Sequence, residues 1–424
     1  MRNSRSGALT TLSYLNRKRA EALMNSAGFD ALILLSPESF YYATGAPAGV
    51  ATMWRTAGAV AVLVPASCNE PETAIVSDLF ADIFRRSSHI TDIRESPIWV
   101  ETTTLEAIKP DSPASEVIHN AWESAGRKTG FNRPATFDPL VCYQHLSDAL
   151  SERGMAGSRI GYEGTALTMN NFGLLHKALP QTDLIDATDL IARLKMVKSE
   201  SEIENLRQAV TLAEHGIAAV RQSIEYGITR NELATSWQGA IEQNRNDVNL
   251  TSSWEYISVG PDPWGGNKAV EQGDLVKVDV GCLVDGYTSD TGRTFVFGGP
   301  SELQTDIFNA LLEGFKTGSE LLRPGVALSE VHHATLAAIR RAGFPGYTRG
   351  HFGHGLGASV GSEQWPFISA DATAVFEPGM VMAFECPWYL NGLGGMIVEN
   401  QLLITDDGHE MMNTLPLELT VVDA

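Results

Sequence analysis

Acidic side chains set inside apolar, strand-like sequence constrain this chain most, because a carboxylate is rarely placed in an apolar strand without a partner or a metal. Asp279 lies in VKVDVG, Glu385 in VMAFECP and Glu399 in GGMIVEN, while Asp290 lies in GYTSDTGRT and His354 in the glycine-rich HFGHGLG. Each alone has an ordinary reading. Asp279 could be a turn acceptor after a β-branched run, Asp290 a hairpin-loop acid, His354 a loop histidine, Glu385 an acid paired with an arginine and Glu399 an edge-strand charge. Together the five describe a hard, oxygen-rich ligand set. Two divalent ions about 3.5–4 Å apart need bridging carboxylates to contain their mutual repulsion, and they bring the pKa of a shared water toward neutrality. Four acids and one imidazole suit Mn²⁺, Co²⁺, Zn²⁺ or Fe²⁺ rather than a thiolate site.

The segments around these residues read as two hairpins. LVKVDVG and the VFG segment flank a glycine-rich stretch with Asp285-Gly286 as the turn, which puts Asp279 and Asp290 on one hairpin facing one cavity. Met380 to Glu385 and Met396 to Leu403 read as strands too, so acids from two hairpins converge. Arg293, just after Asp290, reads as a structural partner for buried acid. Ahead of them, Ile203, Leu206, Val210, Ala213, Ile217, Val220 and Ile224 recur at spacings of three and four, the buried face of a long core helix. Ser199 or Ser201 with Glu202 supplies its start, and Tyr226-Gly227 its stop. An internal echo, Gly227-Ile228 with Glu232-Leu233 against Gly325-Val326 with Glu330-Val331, lies 98 residues apart. One strand-rich segment follows each copy, so the metals would sit between two related halves.

The first third alternates strand and helix patterns, with strands at 31–35, 58–65, 73–78, 159–164 and 183–188 and helices near Thr11 to Gly28 and Pro113 to Gly130. Residues 1–190 are therefore expected to form an α/β amino-terminal domain, and 191–424 a catalytic α+β domain.

DVGCLVDGYTSDTGRT, GHGLG, GMVMAFE and GGMIVENQLLITDDGHE resemble, in order, the signature blocks of the creatinase/prolidase/aminopeptidase P superfamily of "pita-bread" metallohydrolases. RLKMVKSESEIENLRQA and SPESFYYATG look like further pieces of the same family, so the match spans most of the chain. The resemblance implies a pseudo-symmetric pita-bread catalytic domain, and an amino-terminal domain that caps a neighbouring subunit's site in a homodimer. Carried over residue by residue, it implies that Asp279 and Asp290 bind one metal ion, His354 and Glu385 a second, and that Asp290 and Glu399 bridge.

Three departures bear on the substrate. The family's second histidine, seven residues after the metal histidine, is Gly361 here; the histidine ahead of the first metal Asp is replaced in VGPDPWGGNK by Trp264 and Asn267; the arginine two before the final Glu is Ile397. Such groups steady the scissile carbonyl, the oxyanion or a substrate carboxylate. A histidine returned to position 361 is accordingly expected to restore peptide cleavage. His351 offers a replacement imidazole, and Trp264, Trp365, Trp388, Tyr389 and Tyr287 lie in or beside the motif blocks, where Trp264, Trp365 and Tyr287 are read as substrate-binding.

The expected reaction is hydrolysis of a C–N bond by a dinuclear metal site, with Glu385 and His351 as catalytic residues and Glu385 moving a proton to the leaving nitrogen. The family suggests an Xaa-Pro peptide bond, and the departures favour an altered small substrate, in the way creatinase-type relatives act on non-peptide molecules. A metal-dependent lyase acting on a sulfonium zwitterion is the alternative from another reaction class. Net charge of -20 argues against nucleic acid or an anionic membrane as partner. Cys68, Cys142, Cys282 and Cys386 show no paired spacing, and no apolar run has signal-peptide or membrane length, so the expected setting is the cytoplasm.

Overall fold

The computed structural model describes residues 13–105, 112–127, 130–359, 361 and 363–423, and its packing divides the chain into two units, Met1–Leu194 and Lys195–Ala424.

The first unit is built on a six-stranded sheet of β1 (Ala31–Leu34), β2 (Ala61–Pro65), β3 (Thr73–Ser77), β4 (Asp92–Ser96), β5 (Arg159–Tyr162) and β6 (Asp183–Asp186), in the order β4-β3-β2-β1-β5-β6. β2 is antiparallel to both its neighbours, and the other pairs are parallel. Three inner strands, β1, β2 and β3, are buried at every position, which is why they read as unbroken apolar runs. The edge strand β4 carries no such run: Asp92, Arg94 and Glu95 are charged, and Arg94 pairs with Asp92 and Glu152. Its helices are α1 (Arg17–Ala27), α2 (Pro37–Thr44), α3 (Val50–Trp54), α4 (Ala81–Ser87), α5 (Ala114–Ser124), α6 (Pro139–Glu152), α7 (Met169–Ala178) and α8 (Thr188–Met196), whose last two residues belong to the second unit. α1 begins at its Asn16 cap, later than the expected Thr11; residues 11 and 12 lie outside the described residues. α5 ends earlier than the expected Gly130, in a turn at Ala125-Gly126; residues 128 and 129 likewise lie outside the described residues.

The second unit holds helices α9 (Glu200–Ser223), α10 (Arg230–Asn244), α11 (Glu302–Ser319) and α12 (Leu328–Arg341). Ser199, not Ser201, caps α9 in a capping box: its hydroxyl accepts from the Glu202 N–H, and the Glu202 carboxylate accepts from the Ser199 N–H at 2.7 Å. Against α9 and α10 packs a sheet of β9 (Leu275–Val284), β10 (Tyr287–Thr288), β11 (Thr291–Phe297) and β17 (Thr420–Val422), with β7 (Leu250–Glu255) and β8 (Ser258–Val259) also on β9. Against α11 and α12 packs a sheet ordered β13-β12-β14-β15-β16, from β12 (His351–Gly355), β13 (Gln364–Ser369), β14 (Val381–Leu390), β15 (Gly394–Ile404) and β16 (His409–Met411).

The echo in sequence has a structural counterpart. Thr229, just before α10, bridges to Ala269, and Ala327, 98 residues later and just before α12, bridges to Val375. The expected Asp285-Gly286 turn joins β9 to β10 with both residues at positive φ, +48° and +76°, the geometry of a two-residue type I′ hairpin. β11 lies against β15, where a Cβ on Gly292 would stand 2.7 Å from Ile397 Cγ2 and 2.8 Å from Glu399 Oε2. Only a glycine permits that approach, and the approach brings the two acid-bearing hairpins together.

Candidate metal centre

Each of the five residues is fixed by a strand or by a link between strands. Asp279 sits midway along β9, in register with Gly292 of β11, and Asp290 lies in the link that leads into β11. His354 sits in β12 opposite Ala383 of β14, and Glu385 of β14 is directly opposite Glu399 of β15. Two buried glutamates facing each other across a strand pair repel, so the arrangement asks for a cation.

Asp290, His354 and Glu399 each offer a ligand atom within 4.8 Å of the others. His354 Nε2 is 3.4 Å from Asp290 Oδ2, while its Nδ1 faces the Gly355 carbonyl at 3.2 Å. That carbonyl can only accept, so Nδ1 carries a proton, and Nε2 is the nitrogen that faces Asp290 and would turn its lone pair to a metal ion in place of that contact. Asp290 Oδ1 and Glu399 Oε2 are buried with no hydrogen-bond partner among the described residues. Orphaned carboxylate oxygens beside an imidazole nitrogen fit a divalent cation.

Without that cation the charges strain one another. Burial, opposed by the contact with His354 and reinforced by Asp279 and Glu385, pushes the Asp290 carboxyl up to about 7. Burial and then Asp290, Asp279 and Glu385 hold Glu399 well above the usual carboxylate range, and burial likewise raises Asp279. Burial opposes protonation of His354, yet its hydrogen bond to Asp290 and the acids around it push it up to about 9.

The other sequence-predicted residues divide. His351 Nδ1 lies 3.8 Å from Glu385 Oε1 and its Nε2 3.6 Å from Glu363 Oε2, with its ring 6.1 Å from that of His354. Trp264 is 62% exposed and packs at 4.3 Å on Tyr389. Trp365, in β13, packs against the hydrophobic core. Tyr287 corrects its expected substrate role: its ring has no exposed surface, and its hydroxyl donates to Glu202 at 3.2 Å. Trp388 belongs to the core beside Phe344 and Tyr347. Arg293 donates to the Glu399, Gly292 and Leu415 carbonyls and to Asn400 Oδ1, and so fastens the floor of the site.

The three departures have structural reasons. Gly361 has φ +96°, and a Cβ there would stand 2.6 Å from the Trp254 ring, so the expectation that a histidine at 361 restores activity is overturned by lack of room. Asn267 accepts the Asn231 N–H at the start of α10, and Ile397 is buried against Gly292. Sequence reasoning missed two cations. Lys277, whose side chain has no exposed surface, reaches Asp279 Oδ2 at 3.2 Å, and Arg349 donates to Glu385 Oε1 at 2.6 Å. Lys277 was findable, because it precedes Asp279 by two and so shares its strand face.

Comparison with known proteins follows the same division. The pattern of the Creatinase/Prolidase N-terminal domain matches residues 16–197, and that of Metallopeptidase family M24 matches residues 204–406. The chain is 31% identical over 236 residues to the Xaa-Pro dipeptidase of Pyrococcus furiosus, covering 54% of this chain and 67% of the relative. It is 26% identical over 285 residues to the uncharacterized peptidase YqhT of Bacillus subtilis, covering 66% of this chain and 79% of the relative. In fold it is similar to the dipeptidase PepE of Mycobacterium ulcerans, with TM-score 0.75, 24% identity and coverage of 99% and 100% of the two chains. The prolidase of Pyrococcus horikoshii gives TM-score 0.72 at 23% identity, covering 95% and 99%. The chain therefore belongs to metallopeptidase family M24, with a creatinase/prolidase amino-terminal domain and a pita-bread catalytic domain, and is a prolidase-like metal-dependent hydrolase.

Proposed function

We propose that the chain hydrolyses a C–N bond in a short Xaa-Pro-type peptide or a related small molecule altered from it, using two divalent ions drawn from Mn²⁺, Co²⁺, Zn²⁺ and Fe²⁺. The observation that carries this reading is the compact group of Asp290, His354 and Glu399 with its two orphaned carboxylate oxygens. Glu385 would join His354 on one ion and Asp279 would join Asp290 on the other, with Asp290 and Glu399 between the two. Bound divalent ions supply a water activated near neutral pH and polarisation of the scissile carbonyl.

The chain's own residues do the rest. Glu385, held at Oε1 by Arg349 and near His351, moves the proton to the leaving nitrogen. Trp264, exposed at the surface, offers an apolar face to the substrate. The altered substrate is supported by Gly361, Asn267 and Ile397, none of which can supply the usual auxiliary group, while Arg349 and His351 bring charge from other positions. Against the sulfonium lyase, the Trp264–Tyr389 pair that could seat an onium head is already faced by the Lys277 ammonium, 5.2 and 5.3 Å from the two rings. The reading carries with it a homodimer in the cytoplasm and no nucleic-acid or membrane partner; among the described residues no helix is long and apolar enough to cross a membrane.

Metal analysis of the purified chain, followed by assays with Xaa-Pro dipeptides, longer Xaa-Pro peptides, creatine and sulfonium compounds, tests this. Asp290→Ala is expected to remove bound metal and to lower kcat/KM for any substrate found by more than the roughly 10–100-fold that losing an outer-shell partner of a metal ligand costs. Turnover that survives both chelation and Asp290→Ala would sink the metal-hydrolase reading.

A further inference from the structure

We propose that Lys277 is a built-in cation that competes with a metal ion for Asp279, so that this chain holds one divalent ion firmly where Asp290, His354 and Glu399 meet and takes up a second only weakly. The inference rests on the metal reading above and assigns the two positions different strengths.

The five ligands are not in equivalent states. Asp279 already has a charged partner, Lys277 at 3.2 Å, and Glu385 has another, Arg349 at 2.6 Å. Asp290 Oδ1 and Glu399 Oε2 have no hydrogen-bond partner among the described residues. A cation entering the group of Asp290, His354 and Glu399 gives those orphaned oxygens the partner they lack. A cation taken up at Asp279 must displace or sit beside the charge-assisted contact from Lys277.

Lys277 cannot simply step aside. It lies on the same face of β9 as Asp279, two residues earlier, and its side chain has no exposed surface. Its stem packs close to Gly395 and Ser258, where a Cβ on Gly395 would meet Lys277 Cδ at 3.1 Å. Its ammonium faces the Trp264 and Tyr389 rings at 5.2 and 5.3 Å, which offer a cation a favourable seat and close its way outward. A fixed ammonium on a ligand oxygen repels any divalent ion that shares the oxygen, and the low-dielectric setting strengthens that repulsion.

The test reads metal stoichiometry rather than turnover. The full chain, stripped with chelator, is titrated with Mn²⁺, desalted and analysed for retained metal, with electron paramagnetic resonance to distinguish isolated from spin-coupled Mn²⁺. Wild type is expected to retain one equivalent with the signal of an isolated ion. Lys277→Met, which keeps the length of the side chain and removes the charge, is expected to retain two, with a coupled signal and a second-site affinity raised about tenfold or more. Asp279→Asn is expected to keep the firm equivalent, and Asp290→Asn to lose it. Two firmly held equivalents in wild type would overturn the role of Lys277 whatever the fate of the variant, as would a Lys277→Met protein that retains no more metal than wild type. No retained metal in wild type would instead defeat the metal reading itself.

Discussion

Tyr287 ends the turn after Asp285-Gly286 with its hydroxyl on Glu202 and its ring closed to solvent. Tyr287→Phe should therefore cost about 1 kcal/mol in denaturant unfolding, the worth of one buried hydrogen bond, and leave KM unchanged; a raised KM would return the residue to the substrate. Gly361→His should lower thermal stability and bring no gain in Xaa-Pro cleavage, because the residue must hold φ +96° with no room for a Cβ beside Trp254; recovered peptidase activity with wild-type stability would show that the loop can rebuild. At this scale the acids were legible in sequence because a carboxylate stands out in VKVDVG or GGMIVEN. The cations were less so. Lys277 on an alternating strand reads as a solvent-facing residue until β15 covers it, and Arg349 sits in a loop, YTRG, whose spacing says nothing about Glu385.

The long apolar stripe of α9 announced itself, and the charged edge strand β4 did not. The α9 stripe from Leu206 to Ile224 is buried, and its start is the capping box that Ser199 and Glu202 spell out. Ser199→Ala removes the hydroxyl that accepts the Glu202 N–H, so unfolding free energy should fall by about 1 kcal/mol, measured by urea denaturation. Ser201→Ala serves as the control and should fall within about 0.5 kcal/mol of wild type, since Ser201 is not the cap. Strand β4 went unread because DIRES has no period-2 apolar signal: it is recruited by pairing with β3, a tertiary event that local sequence does not encode.

For the whole molecule, the division at Leu194 and Lys195 gives metal removal a local signature. All five candidate ligands belong to the second unit, so chelation should lower the calorimetric transition of that unit and leave that of the first in place. Free ion at 100 times its dissociation constant should stabilise the second unit by about 2.7 kcal/mol. Equal shifts of both transitions would contradict this assignment. The architecture as a whole was legible because helix-then-strand blocks recur, but the way β11 meets β15 across Gly292 was not, since it depends on a side chain that is missing.

The paired bridges at Thr229 and Ala327, 98 residues apart, also bear on descent. Asp279 and Asp290 come from the strands that follow the first bridge-forming turn, and Glu385 and Glu399 from those that follow the second. A forebear with the length of one half would have presented a single acid-bearing hairpin, open on the side where its counterpart now lies. It would have closed a metal cavity by meeting a copy of itself, and gene duplication followed by fusion would then have freed the two hairpins to diverge.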